Sequence, residues 1–145
     1  MPGSVISLQL CPGHRMPMVP LDEAAFDEAG MEDDAHRGAG SIRHLLIQDQ
    51  EVLDRLDVEP GRVKENLTLR GVDVNALPFG TRLVIGEVVL ELTKESNPCS
   101  RMEEIRPGLQ AQLQGCRGIY AQVIAPGRVR RGDTVHVRAP EVAEA

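Results

Sequence analysis

The sequence predicts a mostly-β α+β fold, a single barrel-like sheet with short helices. Three observations lead there. Val/Ile/Leu-rich runs with every-other-residue alternation recur at spacings of about 8–12 residues. Gly/Pro turns separate them, and only two short stretches carry helical spacing. The length of 145 residues predicts one domain spanning 1–145, with its core over 3–138 and a flexible tail at 139–145.

The elements follow in order. "SVISLQL" (4–10) reads as a first strand, stopped by Pro12-Gly13. Residues 12–40 read as a long connection with a short helical turn near Asp22–Glu28. "SIRHLLI" (41–47) reads as a second strand. A helix follows over 49–57, with Asp49 as N-cap, Val52, Leu53 and Leu56 on one face, and Pro60-Gly61 beyond its end. "NLTLRG" (66–71) alternates as a strand, and "TRLVIGEVVLELT" (81–93) as a hairpin turning at Gly86-Glu87. A second helix is expected over 106–114, with Pro107 in its first turn. Residues 118–138 then read as two or three strands around the turns Pro126-Gly127 and Gly132-Asp133.

Composition removes several functions. The net charge is −6, with no Trp, one Tyr and two Phe. Neither a basic face nor base-stacking aromatics are on offer for nucleic acid. No apolar run approaches the ~20 residues of a membrane span. The start of the chain lacks the pattern of a signal peptide, and three scattered cysteines without a CxxC suggest neither a zinc site nor a disulfide framework. A reducing cytoplasm fits best. Neither a P-loop nor GxGxxG occurs.

Charge is uneven along the chain. Residues 21–35 carry seven acids and no Lys or Arg, whereas 99–138 carry seven Arg and three acids, a net of +4. One reading is a solvated acidic loop and a basic sheet face; the other is an anion, such as a phosphate, held by the C-terminal half.

The leading candidate for chemistry is Cys99, in "ESNPCSRMEEIRPGL". Its neighbours Asn97, Pro98, Ser100 and Arg101 are loop residues, and Pro98 stiffens the approach. Backbone N–H groups of a following helical segment, with Arg101, would favour its thiolate, which can attack, carry sulfur as a persulfide or ligate a soft metal. The alternative is an inert, half-exposed cysteine. Cys11 ends a strand and reads as buried; Cys116 lies in a turn. A Cys-His-Asp set can be written with Cys99, His36 and Asp34, although His14, His44 and His136 serve as well on paper, the last two reading as structural. Asp33, Asp34 and His36 are also hard metal ligands in what is otherwise an ordinary solvated turn. Asn66 enters a strand from a loop, where an amide either bridges backbone groups or binds a polar heterocycle.

"EDDAHRG", "VKENLTLRGVDVNALPFGTRLVIGEVVLELT", "NPCSRM" and "GIYAQVIAPGRVRRGD" stand in the order and spacing of stand-alone MOSC domains. The chain resembles that family, named for the C-terminal domain of molybdenum cofactor sulfurase, over residues 3–138. The ENL segment and the later Pro-Cys together carry the resemblance. It implies a single β-barrel-like MOSC domain in which Cys99 binds molybdenum cofactor (molybdopterin) or carries sulfur. Some family members bind the cofactor and reduce N-hydroxylated compounds with help from redox partners, which implies a small-molecule substrate and redox partner proteins. The sulfurase members work with pyridoxal-phosphate desulfurase domains, so a cysteine desulfurase partner would bring pyridoxal phosphate with it. The site implied is Cys99 as catalytic residue and metal ligand, with Asn66, Ser100, Arg101 and His36 binding the cofactor. Asp33 departs from the family pattern, since it stands where members usually have Gly.

Three functions therefore remain open: a molybdenum-dependent reductase, a persulfide carrier, and a binding module without chemistry. Asn66 and Arg101 are expected in one pocket that exposes Cys99, with segment 21–35 as a mobile flap beside it.

Overall fold

The computed structural model describes residues 2–13, 15–38 and 41–140. His14 and the tail beyond Pro140 lie outside the described residues. Seven strands close into a barrel: β1 (Gly3–Leu10), β5 (Leu45–Asp49), β6 (Leu67–Arg70), β7 (Arg82–Ile85), β8 (Val88–Glu95), β9 (Ile119–Ala125) and β11 (Thr134–Arg138). Around the barrel the order is β1-β11-β7-β8-β9-β5-β6, returning to β1. Only the β5–β6 pair is parallel. β1 gives one edge to β6 and shares the other between β11, at Gly3 and Ser4, and β2 (Val19–Leu21), at Leu8–Leu10. The mostly-β α+β class is therefore the observed one. Among the described residues, no helix is long and apolar enough to cross a membrane.

Alternation decides the inside. In β7, β8 and most of β9 every second residue is buried, so Leu83, Ile85, Leu90, Leu92, Ala121 and Val123 fill the barrel with Val5, Leu8, Leu67 and Leu69. The hairpin turns at Gly86-Glu87 as expected, with Gly86 at φ 61°. β5 departs from alternation, with all five residues buried, because its outer face is covered as well. Outward-facing Gln48 donates to Cys116 O at 2.8 Å, and Cys116 packs against a second apolar cluster of Val52, Leu53, Val58, Val63, Met102, Leu109 and Leu113.

Helix α1 (Gln50–Leu56) supplies part of that cluster within the expected 49–57. Its terminal residues behave differently from expectation. Asp49 occupies the N-cap position without a side-chain cap bond; its carboxylate instead accepts Val74 N–H at 3.0 Å. The helix ends at Asp57, in the left-handed region at φ 54°, before Pro60-Gly61 is reached. The second helix, α2, covers only Leu109–Gln112 of the expected 106–114, and the 3₁₀ turn Ser100–Glu104 precedes it. The second strand starts at Leu45, four residues later than expected, since Ser41–His44 is not strand.

The largest correction concerns residues 12–40. There is no helical turn at Asp22–Glu28: β3 (Glu23–Asp27) and β4 (Gly30–Met31) form a hairpin, and β10 (Gly127–Arg130) pairs with β3 to make a three-stranded sheet. Nor is 21–35 short of residues to bury. Ala24, Phe26 and Met31 are at most 6 % exposed and join the barrel core. Burying side chains the size of Phe26 and Met31 contributes about 2 kcal/mol each, which anchors the hairpin as a structural unit instead of leaving it a flap.

Candidate functional site

Cys99 is presented by a loop fastened on both sides. β8 ends at Glu95, after which Ser96 N–H donates to Gly118 O at 3.1 Å and the Ser96 hydroxyl meets the Arg117 guanidinium. Pro98 is buried. Cys99, in extended conformation, then caps the turn Ser100–Glu104 with its backbone: Met102 N–H donates to Cys99 O at 2.9 Å. Met102 is 3 % exposed and packs in the second apolar cluster. Apolar anchoring of Met102 thus leaves Cys99 exposed on a fixed backbone.

The thiol faces a cleft of about 490 Å³. Arg15, Arg62, Lys64, Arg101 and Arg117 line it against a single carboxylate, Glu104, whose Oε2 lies 3.8 Å from Arg101 Nε. Pro17, Met18, Pro20, Pro60 and Ile105 supply apolar walls. Arg117 is the innermost cation, 8 % exposed. It donates to Ser96 Oγ and to Val63 O, the latter at 3.0 Å, while its Nε is buried without a hydrogen-bond partner. Such an orphan is uncommon in a native interior. Arg117 is held there by Gly118, at φ 111°, where a Cβ would come within 2.6 Å of Ile47 O. Only glycine lets the chain turn so close to β5.

Beneath this wall lies Glu65, fully buried, accepting Gly61 N–H at 2.9 Å and the Thr68 hydroxyl at 3.0 Å. Burial pushes its pKa up to about 7, against the pull of those hydrogen bonds and of Arg117.

A smaller pocket of about 190 Å³ adjoins the cleft, sharing Lys64 and Arg117 and adding His36, Arg43, Asn66 and Tyr120. Asp34 organises one side of it. Asp34 Oδ2 accepts the His36 backbone N–H at 2.9 Å and lies 3.0 Å from His36 Nδ1; Oδ1 accepts Cys11 N–H at 2.7 Å and the Asn66 amide at 3.0 Å. Burial works to raise the Asp34 pKa, but the bonds from His36 and Cys11 outweigh it and hold it below the ordinary carboxylate value. The same bond raises the His36 pKa above 6.5, against partial burial. With Nδ1 committed to Asp34, Nε2 is the ring nitrogen left for the pocket.

The residues singled out in the sequence therefore divide between the two pockets. Cys99 and Arg101 share the cleft, and His36 and Asn66 line the adjoining pocket. Asn66 does not line the thiol cleft, contrary to the one-pocket expectation. Its amide is committed to the fold: Oδ1 accepts Leu46 N–H at 3.0 Å, and Nδ2 donates to Gln9 O and Asp34 Oδ1. Ser100 is exposed and lines neither pocket. His44 is buried between Val123 N–H and Gly38 O, and exposed His136 lies in β11. Cys11 is buried and Cys116 half-buried, and all three cysteines are free.

The Arg-rich C-terminal half is only partly an anion site. Arg128 and Arg130 pair with Glu23, and Arg131 with Asp22, so the acidic hairpin and its basic neighbour neutralise each other away from the thiol. Four of the five cleft cations, Arg15, Arg62, Lys64 and Arg117, escaped the sequence reading. Arg62 and Lys64 flank fully buried Val63 in "GRVKEN", an alternation that turns both outward and could have been read; nothing local marks Arg117.

A family model, the MOSC domain, matches residues 43–136. No curated protein matches the chain. Among solved structures, the YuaD protein from Bacillus subtilis is similar with a TM-score of 0.81 and 22% identity, covering 97% of this chain and 98% of its own. YiiM from Geobacillus stearothermophilus gives 0.75 and 18%, covering 94% of this chain and 75% of its own. YiiM from Escherichia coli gives 0.71 and 23%, covering 99% and 72%.

Proposed function

The chain belongs to the MOSC-domain family, and from that premise we propose that it binds molybdenum cofactor through the Cys99 thiolate and reduces small N-hydroxylated compounds with electrons from a redox partner. One observation carries the reading: an exposed thiol stands on the wall of a cleft with five cations and one carboxylate.

The residues present fit the group. A thiolate is a soft ligand suited to molybdenum. Among the described residues no cluster of three or more His, Cys, Asp or Glu is placed to cage a metal, so Cys99 would be a single protein ligand, the others coming with the cofactor. Arg15, Arg62, Lys64 and Arg101 would hold its phosphate by charge-assisted hydrogen bonds, and the orphaned Nε of Arg117 offers one more donor. When bound, the cofactor would supply two-electron redox chemistry. The chain's own residues do the rest: the anchored 3₁₀ turn fixes the sulfur, the cations orient the anion, and Pro17, Met18 and Ile105 keep part of the wall dry.

A second reading draws on the same exposure of Cys99: a persulfide held there for transfer, loaded by a pyridoxal-phosphate-dependent desulfurase. The cation wall favours the cofactor reading, since a persulfide needs no site for a phosphate. Protein purified from a host that makes the cofactor, assayed for molybdenum and pterin, tests the proposal. Stoichiometric molybdenum is expected; metal-free protein that accepts sulfur from a desulfurase would replace it with the carrier reading.

A further inference from the structure

We propose that Glu65, sealed beneath the thiol cleft, is a positioning residue for that site: acting through Arg117 and the turn 61–64, it makes the cleft take up an anionic group together with a proton.

The turn carries two of the cleft's cations, Arg62 and Lys64. It is closed by Lys64 N–H on Gly61 O at 3.1 Å, with Lys64 in the left-handed region at φ 70°. Glu65, with no exposed surface, clasps it from below. Its Oε1 accepts Gly61 N–H at 2.9 Å and its Oε2 the Thr68 hydroxyl at 3.0 Å, which fastens the turn to β6. The charge acting on Glu65 is Arg117, whose guanidinium bonds Ser96 Oγ and Val63 O and senses the carboxyl through space. Gln9 of β1, set against Gly61, and Thr68 of β6 are neutral, and Val63 packs into the second apolar cluster. Beyond Asn66 stands the Asp34–His36 pair.

The sign follows from these groups. Protonated, Glu65 is neutral, and the charge of Arg117 acts fully on an anion in the cleft. Ionised, it sets a negative charge under the same guanidinium and opposes that anion. The change falls near pH 7, where burial places the carboxyl. Anion affinity is therefore high below about 7 and falls above it. Reciprocally, a bound anion draws a proton from solvent onto the Glu65 carboxylate. The inference rests on the cleft being the place where the cofactor's phosphate is held.

The test is calorimetric titration of the full chain without cofactor, using sulfate, whose charge is constant between pH 6 and pH 8. Wild type is expected to bind about tenfold more weakly at pH 8 than at pH 6. Proton uptake on binding at pH 7 is read from buffers of different ionisation enthalpy. Glu65→Gln keeps an oxygen for Gly61 N–H and an amide for the Thr68 hydroxyl while fixing the neutral state. At pH 8 it is expected to bind within about twofold of wild type at pH 6, without proton uptake. Such a gain of affinity cannot come from a damaged fold. His36→Asn, which removes the titrating group of the adjoining pocket, is expected to keep most of the pH dependence. Binding by wild type that ignores pH, an undiminished dependence in Glu65→Gln, or its loss in His36→Asn overturns the role of Glu65. Each of these leaves the cofactor reading, which molybdenum content tests, standing. No sulfate binding at either pH overturns the role of Glu65 and the phosphate site it serves together.

Discussion

Asp34 Oδ1 accepts a hydrogen bond from the Asn66 amide at 3.0 Å, and both side chains are buried. This contact ties the entry of β6 to the loop carrying His36. Through the other Asn66 bonds, to Leu46 N–H and Gln9 O, it also ties that loop to β5 and β1. A residue type expected at a ligand site is thus the joint that aligns three strands beneath one.

Asn66→Ala is expected to destabilise the protein by about 3 kcal/mol, because it strands a buried amide, a carbonyl and part of a carboxylate. Denaturant unfolding measures it. A change below about 1 kcal/mol would show that water replaces the amide and that the joint is dispensable.

Glu65 sets a pH dependence. Its folded pKa is about 7 against an ordinary 4.5, so the folded state binds the extra proton between those values. Stability should therefore fall as pH rises from about 4.5 to 7, by an amount on the order of 3 kcal/mol. Asp49, raised to about 7 by burial and by Asp73, acts in the same direction. Glu65→Gln should shrink the difference in unfolding free energy between pH 5 and pH 8. An undiminished difference would assign the whole effect to other groups.

His36 should titrate above 6.5, since the Asp34 bond stabilises its charged form. That contribution is fully present below 6.5 and is lost as pH rises through the folded pKa. An NMR titration of the ring measures it, and Asp34→Asn should bring the value down. An unchanged value in Asp34→Asn would contradict the assigned cause.

Much of the barrel was legible because its signals are local. Alternation in 81–93 and glycine at the turn need no tertiary information. The hairpin at 23–31 was not, since its strands are short, acidic on the outside, and paired with β10 about a hundred residues away. Their charges are balanced by Arg128, Arg130 and Arg131, partners invisible from either segment alone. Asp33 gives the opposite lesson. It stands where the family usually has Gly, and its φ of 65° shows why: the position is left-handed, which Asp tolerates better than most residues. At the site, Cys99 could be picked out from its loop composition. The cleft cations could not, because their convergence depends on which loops meet at one end of the barrel.

The central claim is that Cys99 is the thiolate by which the protein holds molybdenum. The most direct measurement is the molybdenum and pterin content of wild type, Cys99→Ser, Cys11→Ser and Cys116→Ser, purified identically from a cofactor-producing host. Wild type, Cys11→Ser and Cys116→Ser should carry about one molybdenum per chain and Cys99→Ser almost none, since a hydroxyl is a hard, protonated donor in place of a soft thiolate. Equal molybdenum in Cys99→Ser and wild type, or none in any of the four, would contradict the claim.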